Sequence, residues 1–418
     1  MTTTMLALSR PTAAPWEHPA AYWPALTAAT AELDTPLGAI AVEALAANAF
    51  DLLDRAAGMP IRVASKSVRV RGVLDAVLAL PGYHGVLAYT LPEALWLADG
   101  DAGHDDVVVG YPSVDRAAIA RLGSDARLAA RVTLMIDDLA QLDLIDAVIP
   151  PARRAAPIRL ALELDSSYES LLLGHVGVRR SPIHTAEAAR TLAAAIVARP
   201  GFRLVGMMGY EAQIAGVTNK GTGRAAARAS VIRRMQRASA AELADRRGAA
   251  VAAVRELAQL EFVNGGGTGS IETTRADASV TELAAGSGLF GPHLFDGYVQ
   301  FAPAPAAAFA LSVVRRPTPG VATLLGGGWI ASGPTAPDRQ PRLVWPEGLT
   351  TLAREASGEV QTPVTGATAA RLSVGDRVWL RHTKAGELSE HLNAFALVSG
   401  DRLIGELPTY RGEGKAFL

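Results

Sequence analysis

Only four of the chain's 40 basic residues are lysines, at positions 66, 220, 384 and 415. Where arginine is used whenever charge alone is needed, a retained lysine is a candidate for work that permanently protonated arginine cannot do. Lys66 stands in Val-Ala-Ser-Lys-Ser-Val (63–68), at the end of the apolar run IRVAS (61–65). A lysine emerging from a buried strand is partly desolvated, which favours the neutral amine, and a neutral amine can attack a carbonyl carbon to form a Schiff base. The competing reading is a solvated lysine at a strand end.

A second feature is VNGGGTGS (263–270). Successive glycine amides can close into a concave nest for an anion, and Thr268 and Ser270 add hydroxyl donors. No Gly-Lys-Ser/Thr follows, so this is not a nucleoside-triphosphate loop. A further glycine-rich stretch, AGSGLFG (285–291), contains Gly286, Ser287 and Gly288. Two such loops after consecutive strands would serve one phosphate between them.

Other residues are weaker candidates. Tyr210-Glu211 ends one apolar run, and His175 and Arg179 in HVGVRR follow another. His391 and Asn393 lie in ELSEHLNAF (387–395). If that segment is a strand, positions i and i+2 share a face and could hold one metal ion. His382, Glu387 and Glu390 are nearby alternatives. The basic stretch from Arg224 to Arg247 reads as the solvated face of a helix.

These residues need a scaffold. Eight apolar, β-branched runs follow one another: 61–65, 85–89, 106–110, 131–136, 158–164, 203–210, 260–265 and 280–286. Helical patterns lie between them at 91–99, 137–147, 184–199 and 223–257, the last long enough for two helices. Near-continuous apolar strands indicate a parallel sheet buried on both faces. Eight strand–helix units predict an α/β fold, a (β/α)8 TIM-type barrel, whose chemistry sits at the C-terminal strand ends. Lys66 and both glycine loops fall at such ends. After about residue 296 the rhythm gives way to short β-type runs (ALSVVRR, ATLLGG, RVWLRH, FALVSG). The expected domains are a barrel over 30–296 and a β-rich domain over 297–418, with an irregular lead-in, 1–29, packed on the latter.

Composition narrows the function. The chain has 418 residues, 49% of them hydrophobic, and no cysteine. Disulfides, thiolate metal sites and a cysteine nucleophile are therefore excluded. Forty basic against 41 acidic residues give a net charge of −1, with no general attraction to nucleic acid or an anionic membrane. No run is apolar enough to span a bilayer, and MTTTMLALSRPTAAP lacks the basic lead and apolar stretch of a signal peptide. A cytoplasmic protein is expected.

The order TP (35–36), VASKS (63–67), GVLAYTLPEA (85–94), GVR (177–179), GYE (209–211), NGGGTGS (264–270) and TELAAGS (281–287) resembles the fold-type III pyridoxal-phosphate enzymes. The resemblance covers residues 30–300 well and the remainder in part, and it is strongest to the D-threonine aldolase and D-serine dehydratase branch. It implies an alanine-racemase-like barrel followed by a β-domain, in a homodimer. It further implies that Lys66 carries pyridoxal 5′-phosphate, that Gly266, Gly267 and Thr268 with Gly286, Ser287 and Gly288 hold its phosphate, and that Tyr210 lies by the cofactor ring or the substrate. His175 takes the place of an arginine usual in this group. His391 and Asn393 take the place of a His-x-Cys or His-x-Asp metal motif, so a divalent metal (Mn, Zn or Mg) is a conditional expectation. In that motif His391 would orient the β-hydroxyl of the substrate. The function implied is cleavage of D-β-hydroxy amino acids to glycine and an aldehyde. Alternatives are a deaminating D-serine/D-threonine dehydratase, an amino-acid racemase, a non-catalytic pyridoxal-phosphate carrier, and a cofactor-free barrel hydrolase.

Overall fold

The computed structural model describes residues 6–170, 172–334, 336–384 and 386–418. The chain divides into two compact units. One takes Leu52–Lys66, Pro81–Gly286 and the last two residues; the other takes the chain up to Asp51, Ser67–Leu80 and Ser287–Ala416.

The first unit is a closed barrel of eight parallel strands in sequence order: β1 (Ile61–Ala64), β2 (Tyr83–Ala88), β3 (Val107–Val109), β4 (Val132–Ile136), β5 (Ile158–Glu163), β6 (Phe202–Gly209), β7 (Phe262–Gly265) and β8 (Glu282–Ala285). The ring closes where β8 pairs with β1, Leu283 opposite Ile61. All eight coincide with the apolar runs of the sequence, because every residue of β1, β3, β4, β7 and β8 is buried. Val108, Met135, Ala161, Val205, Met208 and Phe262 pack together in one core cluster. Arg62 on β1 is also buried. It makes a bidentate pair with Glu282 on β8 (2.7 and 3.0 Å) and reaches Asp106 at 2.8 Å. Asn264 on β7 donates to the same Glu282 at 2.9 Å. This polar cluster ties the closing strands together away from the ends where β1 and β8 lead into the candidate loops.

Side-chain caps start several crossover helices, as Thr90 does for Leu91–Ala98 and Thr185 for Ala186–Ala198. The stretch long enough for two helices is a single one, Ala225–Arg255. It contains no proline, and its alanines and arginines favour helix throughout. A two-stranded hairpin, Tyr168–Ser170 with Gly174–Val176, sits between β5 and β6.

The second unit is a nine-stranded sheet whose main path runs 349–351, 361–366, 321–325, 307–318, 37–41, 394–399, 402–408. Leu37–Ala41 is antiparallel to Ala307–Thr318 and parallel to Ala394–Ser399. The sequence reading placed this segment within the barrel domain from residue 30; it lies instead inside the β-sheet. Residues 19–29 are not irregular either, but form an α-helix with Pro24 inside it. That helix sets Trp23 against Trp379 (6.0 Å) and Tyr22 Oη on the Pro305 carbonyl (2.9 Å). Among the described residues no helix is long and apolar enough to cross a membrane.

Candidate active site

The C-terminal strand ends of the barrel bring together most of the chemistry read from the sequence. Lys66 is half-buried in the 3-10 turn Ser65–Ser67 that follows β1. Ser65 anchors the turn by donating to the Leu87 carbonyl of β2 at 3.1 Å. Lys66 Nζ donates to the hydroxyl of Tyr111, 2.7 Å away, in the loop after β3. The guanidinium of Arg180 lies 5.4 Å from the Tyr111 ring centre and 4.7 Å from that of Tyr210, which follows β6. Two phenols from opposite sides of the barrel mouth therefore share one cation.

The charges here shift one another. Burial opposes ionisation of Tyr111, but the charge and hydrogen bond of Lys66, with Arg180, outweigh it and hold its pKa below the ordinary phenol value. Burial dominates at Tyr210 and raises its pKa against the pull of Arg180. Glu163, the last residue of β5, is pushed up to about 7 by burial, opposed by Arg180 and reinforced by Asp137 and Asp165. A carboxyl so poised is protonated for much of the acidic range and can then donate.

The glycine loop after β7 is fixed from behind. Gly266 has φ +93°, a conformation that favours glycine. Its N–H donates to Oε2 of buried Glu211 at 3.0 Å, while Oε1 accepts from Thr274. Arg247, also buried, stands 3.6 Å from Glu211 and 3.3 Å from Asp277. Arg55 holds the loop from outside by donating to the Thr268 carbonyl at 2.7 Å while pairing with Glu272. A Cβ on Gly267 would stand 3.2 Å from the Tyr210 ring, so the loop packs against that phenol. The loop after β8 begins at Gly286, where a Cβ would fall 2.3 Å from the carbonyl oxygen of Ala64. That brings the second glycine segment to the end of the strand that leads into the Lys66 turn. Ser287 and Gly288 continue into the turn Ser287–Leu289.

An amine, two glycine-rich loops at the same end of the barrel, and aromatic walls fit a cofactor with an aldehyde at one end and a phosphate at the other. Lys66, Tyr210, Gly266, Gly267, Thr268 and Gly286 all follow strands at this end of the barrel.

Two expectations fare differently. His175 lies on the hairpin, where its Nδ1 meets Glu169 Oε1 at 2.6 Å; the cation over the two phenols is Arg180. His391 and Asn393 are not on a strand. His391 caps the helical turn Glu387–Glu390, and Asn393 precedes the strand Ala394–Ser399. The argument that strand alternation puts both on one face therefore fails. The His391 ring is instead stacked on Trp329, centres 4.9 Å apart and planes at 1°. Among the described residues no group of three His, Cys, Asp or Glu could hold a metal ion, and the neutral amide of Asn393 adds only a weak donor. These residues do not make a fitted metal site.

Tyr111, Arg180 and Glu163 were missed by sequence reasoning. Tyr111 directly follows the VVVG run, a position at a strand end that could have marked it; Arg180 had only the neighbouring Arg179 as a signal.

The fold and site define the chain as a (β/α)8 barrel protein with a lysine after its first strand and glycine loops after its last two. The family model for the alanine racemase N-terminal domain matches residues 40–293, and the chain belongs to that family. This places it among the fold-type III pyridoxal-phosphate proteins that the sequence resembles. A curated relative, 3-hydroxy-D-aspartate aldolase of Paracoccus denitrificans, is 28% identical over 261 residues, 62% of this chain. The match spans 61% of that relative's length. Among solved structures, D-threonine aldolase from Filomicrobium marinum superposes with a TM-score of 0.76 at 21% identity, covering 91% of this chain and 96% of that one. D-threo-3-hydroxyaspartate dehydratase from Delftia sp. HT23 gives 0.67 at 19% identity, covering 90% and 97%. Both share the fold of this chain.

Proposed function

We propose that this protein is a pyridoxal-phosphate-dependent lyase acting on D-β-hydroxy amino acids, cleaving the Cα–Cβ bond to give glycine and an aldehyde. The observation that carries the reading is Lys66 at the end of β1, flanked by the glycine loops after β7 and β8. The names of the similar proteins, two aldolases and a dehydratase of D-hydroxy amino acids, supply the substrate class.

Bound pyridoxal phosphate supplies the electron sink for a carbanion at the substrate's Cα. Lys66 holds the cofactor's aldehyde carbon. The backbone of Gly266–Thr268 and Gly286 takes the phosphate, with Ser287 and Gly288 extending the second loop. Tyr210, packed on Gly267, walls the cofactor ring. Arg180 is the residue suited to the substrate's carboxylate, since a guanidinium pairs with it through two parallel hydrogen bonds. Cleavage removes the hydroxyl proton from the β-oxygen and returns a proton to Cα.

Elimination of the β-hydroxyl is the second reading, favoured by the equally complete structural match to a dehydratase. It starts with removal of the Cα proton, a step in which the Lys66 amine would serve as the base. A cytoplasmic homodimer without nucleic-acid or membrane partners completes the proposal, in keeping with the net charge of −1.

The experiment is product analysis with D-threonine and pyridoxal phosphate, with and without manganese and with a chelator. Glycine with acetaldehyde supports the aldolase; ammonia with 2-oxobutanoate supports the dehydratase; neither product overturns both. The chelator arm measures metal dependence separately.

A further inference from the structure

We propose that the N-terminal half of the helix Ala225–Arg255, with the loop before it, is a capture surface that draws the phosphate-bearing cofactor to the barrel mouth. The inference rests on the reading of Lys66 as the cofactor-binding lysine and adds a route of entry to it.

The charge is one-sided. From residue 212 to residue 241 the chain carries Lys220, Arg224, Arg228, Arg233, Arg234 and Arg237 and not one aspartate or glutamate. All but Arg233 are exposed. Arg233 donates to the Asn219 carbonyl at 2.8 Å. Among the described residues none of the six is paired with a carboxylate. Other arginines of the barrel unit differ: Arg121 meets Asp99, Arg131 meets Asp105, Arg159 meets Glu261 and Arg199 meets Asp146. Arg224 and Arg228, like Arg233 and Arg237, stand at i and i+4, where like charges repel. An anion nearby relieves that repulsion. The net charge of −1 hides the patch, because a local field depends on where the charges sit.

Hydrogen bonds set its place. The helix leads to β7, so it runs from the mouth of the barrel towards the opposite end. Gln213, after β6, donates to Ser239 Oγ at 2.9 Å and to the Ser166 carbonyl, after β5, at 2.6 Å. Gln236 donates to the Val217 carbonyl at 3.0 Å. These bonds fix the helix to loops at the C-terminal strand ends, and residues 225–235 carry it about 16 Å further. A Cβ on Gly177 would stand 3.1 Å from Gln213 Oε1, so the segment leading to Arg180 lies against the same glutamine. Arg180 reaches over Tyr210 and Tyr111, whose hydroxyl accepts from Lys66. The unpaired cations therefore border the loops that frame the lysine.

A phosphate monoester carries about −1.5 to −2 charges at neutral pH. Cations arrayed beside a cleft raise the local concentration and association rate of such an anion, and salt cancels the gain. D-threonine is a zwitterion without net charge and gains little, so the partner assigned is the cofactor.

The test uses the full chain freed of cofactor, wild type and a variant combining Arg224→Gln, Arg228→Gln, Arg234→Gln and Arg237→Gln. Stopped-flow absorbance follows the association of pyridoxal 5′-phosphate and of pyridoxal, which lacks the phosphate. At low salt the variant should take up pyridoxal 5′-phosphate about tenfold more slowly. The difference should vanish at about 1 M salt, where the screening length is about 3 Å. Pyridoxal should associate equally fast with both proteins. Equal pyridoxal 5′-phosphate rates at low salt would overturn the proposal while leaving Lys66 as the cofactor lysine. A loss that persists in high salt, or that pyridoxal shares, would also overturn it, as the mark of an altered fold. A changed oligomeric state of the variant without a salt-dependent loss of rate would assign the face to a second copy of the chain and overturn it. No capture at Lys66 in wild type, read by borohydride fixation and peptide mapping, would overturn the underlying cofactor reading and this one with it.

Discussion

Gly286 lies against the end of the first barrel strand so closely that a Cβ on it would stand 2.3 Å from the carbonyl oxygen of Ala64. Backbone meets backbone there, two residues before Lys66, and no flexible side chain can give way. Gly286→Ala must therefore push the eighth loop off the strand. We expect a loss of about 1–3 kcal/mol in stability, the usual cost of overpacking, with weaker pyridoxal-phosphate binding. Denaturant unfolding and cofactor titration measure the two. An unchanged affinity would separate this loop from the phosphate.

Glu211 acts behind the other loop. Its carboxylate accepts the Gly266 N–H and the Thr274 hydroxyl, with Arg247 alongside. Glu211→Ala leaves an amide and a guanidinium buried without this partner, at about 1–3 kcal/mol for the hydrogen-bonding group alone. Glu211→Gln keeps an acceptor and should lose less. The expected pattern is a graded fall in cofactor affinity, Ala below Gln below wild type. Comparing pyridoxal 5′-phosphate with pyridoxal shows whether the loss lies at the phosphate.

Arg62 tests the scaffold rather than the site. Its removal leaves buried Glu282 without its cation and half-buried Asp106 with His84 at 2.9 Å. Breaking a buried pair in this way costs about 3–5 kcal/mol. Arg62→Met should lower the unfolding free energy measured in urea by that amount, and Arg62→Met with Glu282→Gln and Asp106→Asn should recover part of it. Equal midpoints in all three proteins would show the cluster to be idle.

The barrel was legible because most of its parallel strands are buried on both faces and so read as near-continuous apolar runs. Lys66 was legible because its residue type is rare in this chain. Tyr111 was not, since its contact with Lys66 depends on the pairing of β1, β2 and β3, which brings Lys66 Nζ within 2.7 Å of its hydroxyl. Arg180 and Arg179 are equivalent in one dimension, and only the path out of the hairpin sets Arg180 over the phenols. Leu37–Ala41 reads like any buried strand, and its neighbours at 307–318 and 394–399 are too distant in sequence to announce themselves. Pro24 concealed the first helix, because proline in a helix interior removes a hydrogen bond and usually ends the segment. The strand argument for His391 failed because a helical turn, Glu387–Glu390, precedes it.

Glu163 makes stability depend on pH. Its folded value of about 7 lies above the ordinary 4.5 because burial disfavours the carboxylate. Below the ordinary value the group is protonated in both folded and unfolded chains and costs nothing. As pH rises, the unfolded chain ionises first, so the fold loses stability until about pH 7 and then levels off. The penalty is on the order of 3 kcal/mol. Glu163→Gln should remove it, gaining on wild type between pH 4.5 and about 7 and holding that gain above. Thermal unfolding of the cofactor-free proteins across this range would show it; a gap independent of pH would contradict it.

The central claim is that Lys66 carries the cofactor on which D-β-hydroxy amino acids react. The most direct measurement is the visible absorbance of the protein loaded with pyridoxal phosphate, for wild type and Lys66→Ala, before and after adding D-threonine or L-threonine. Wild type should show the band of a lysine-bound cofactor, and that band should change with D-threonine alone. Lys66→Ala should lack the band. The same band in Lys66→Ala, or a response to L-threonine equal to that for D-threonine, would contradict the account.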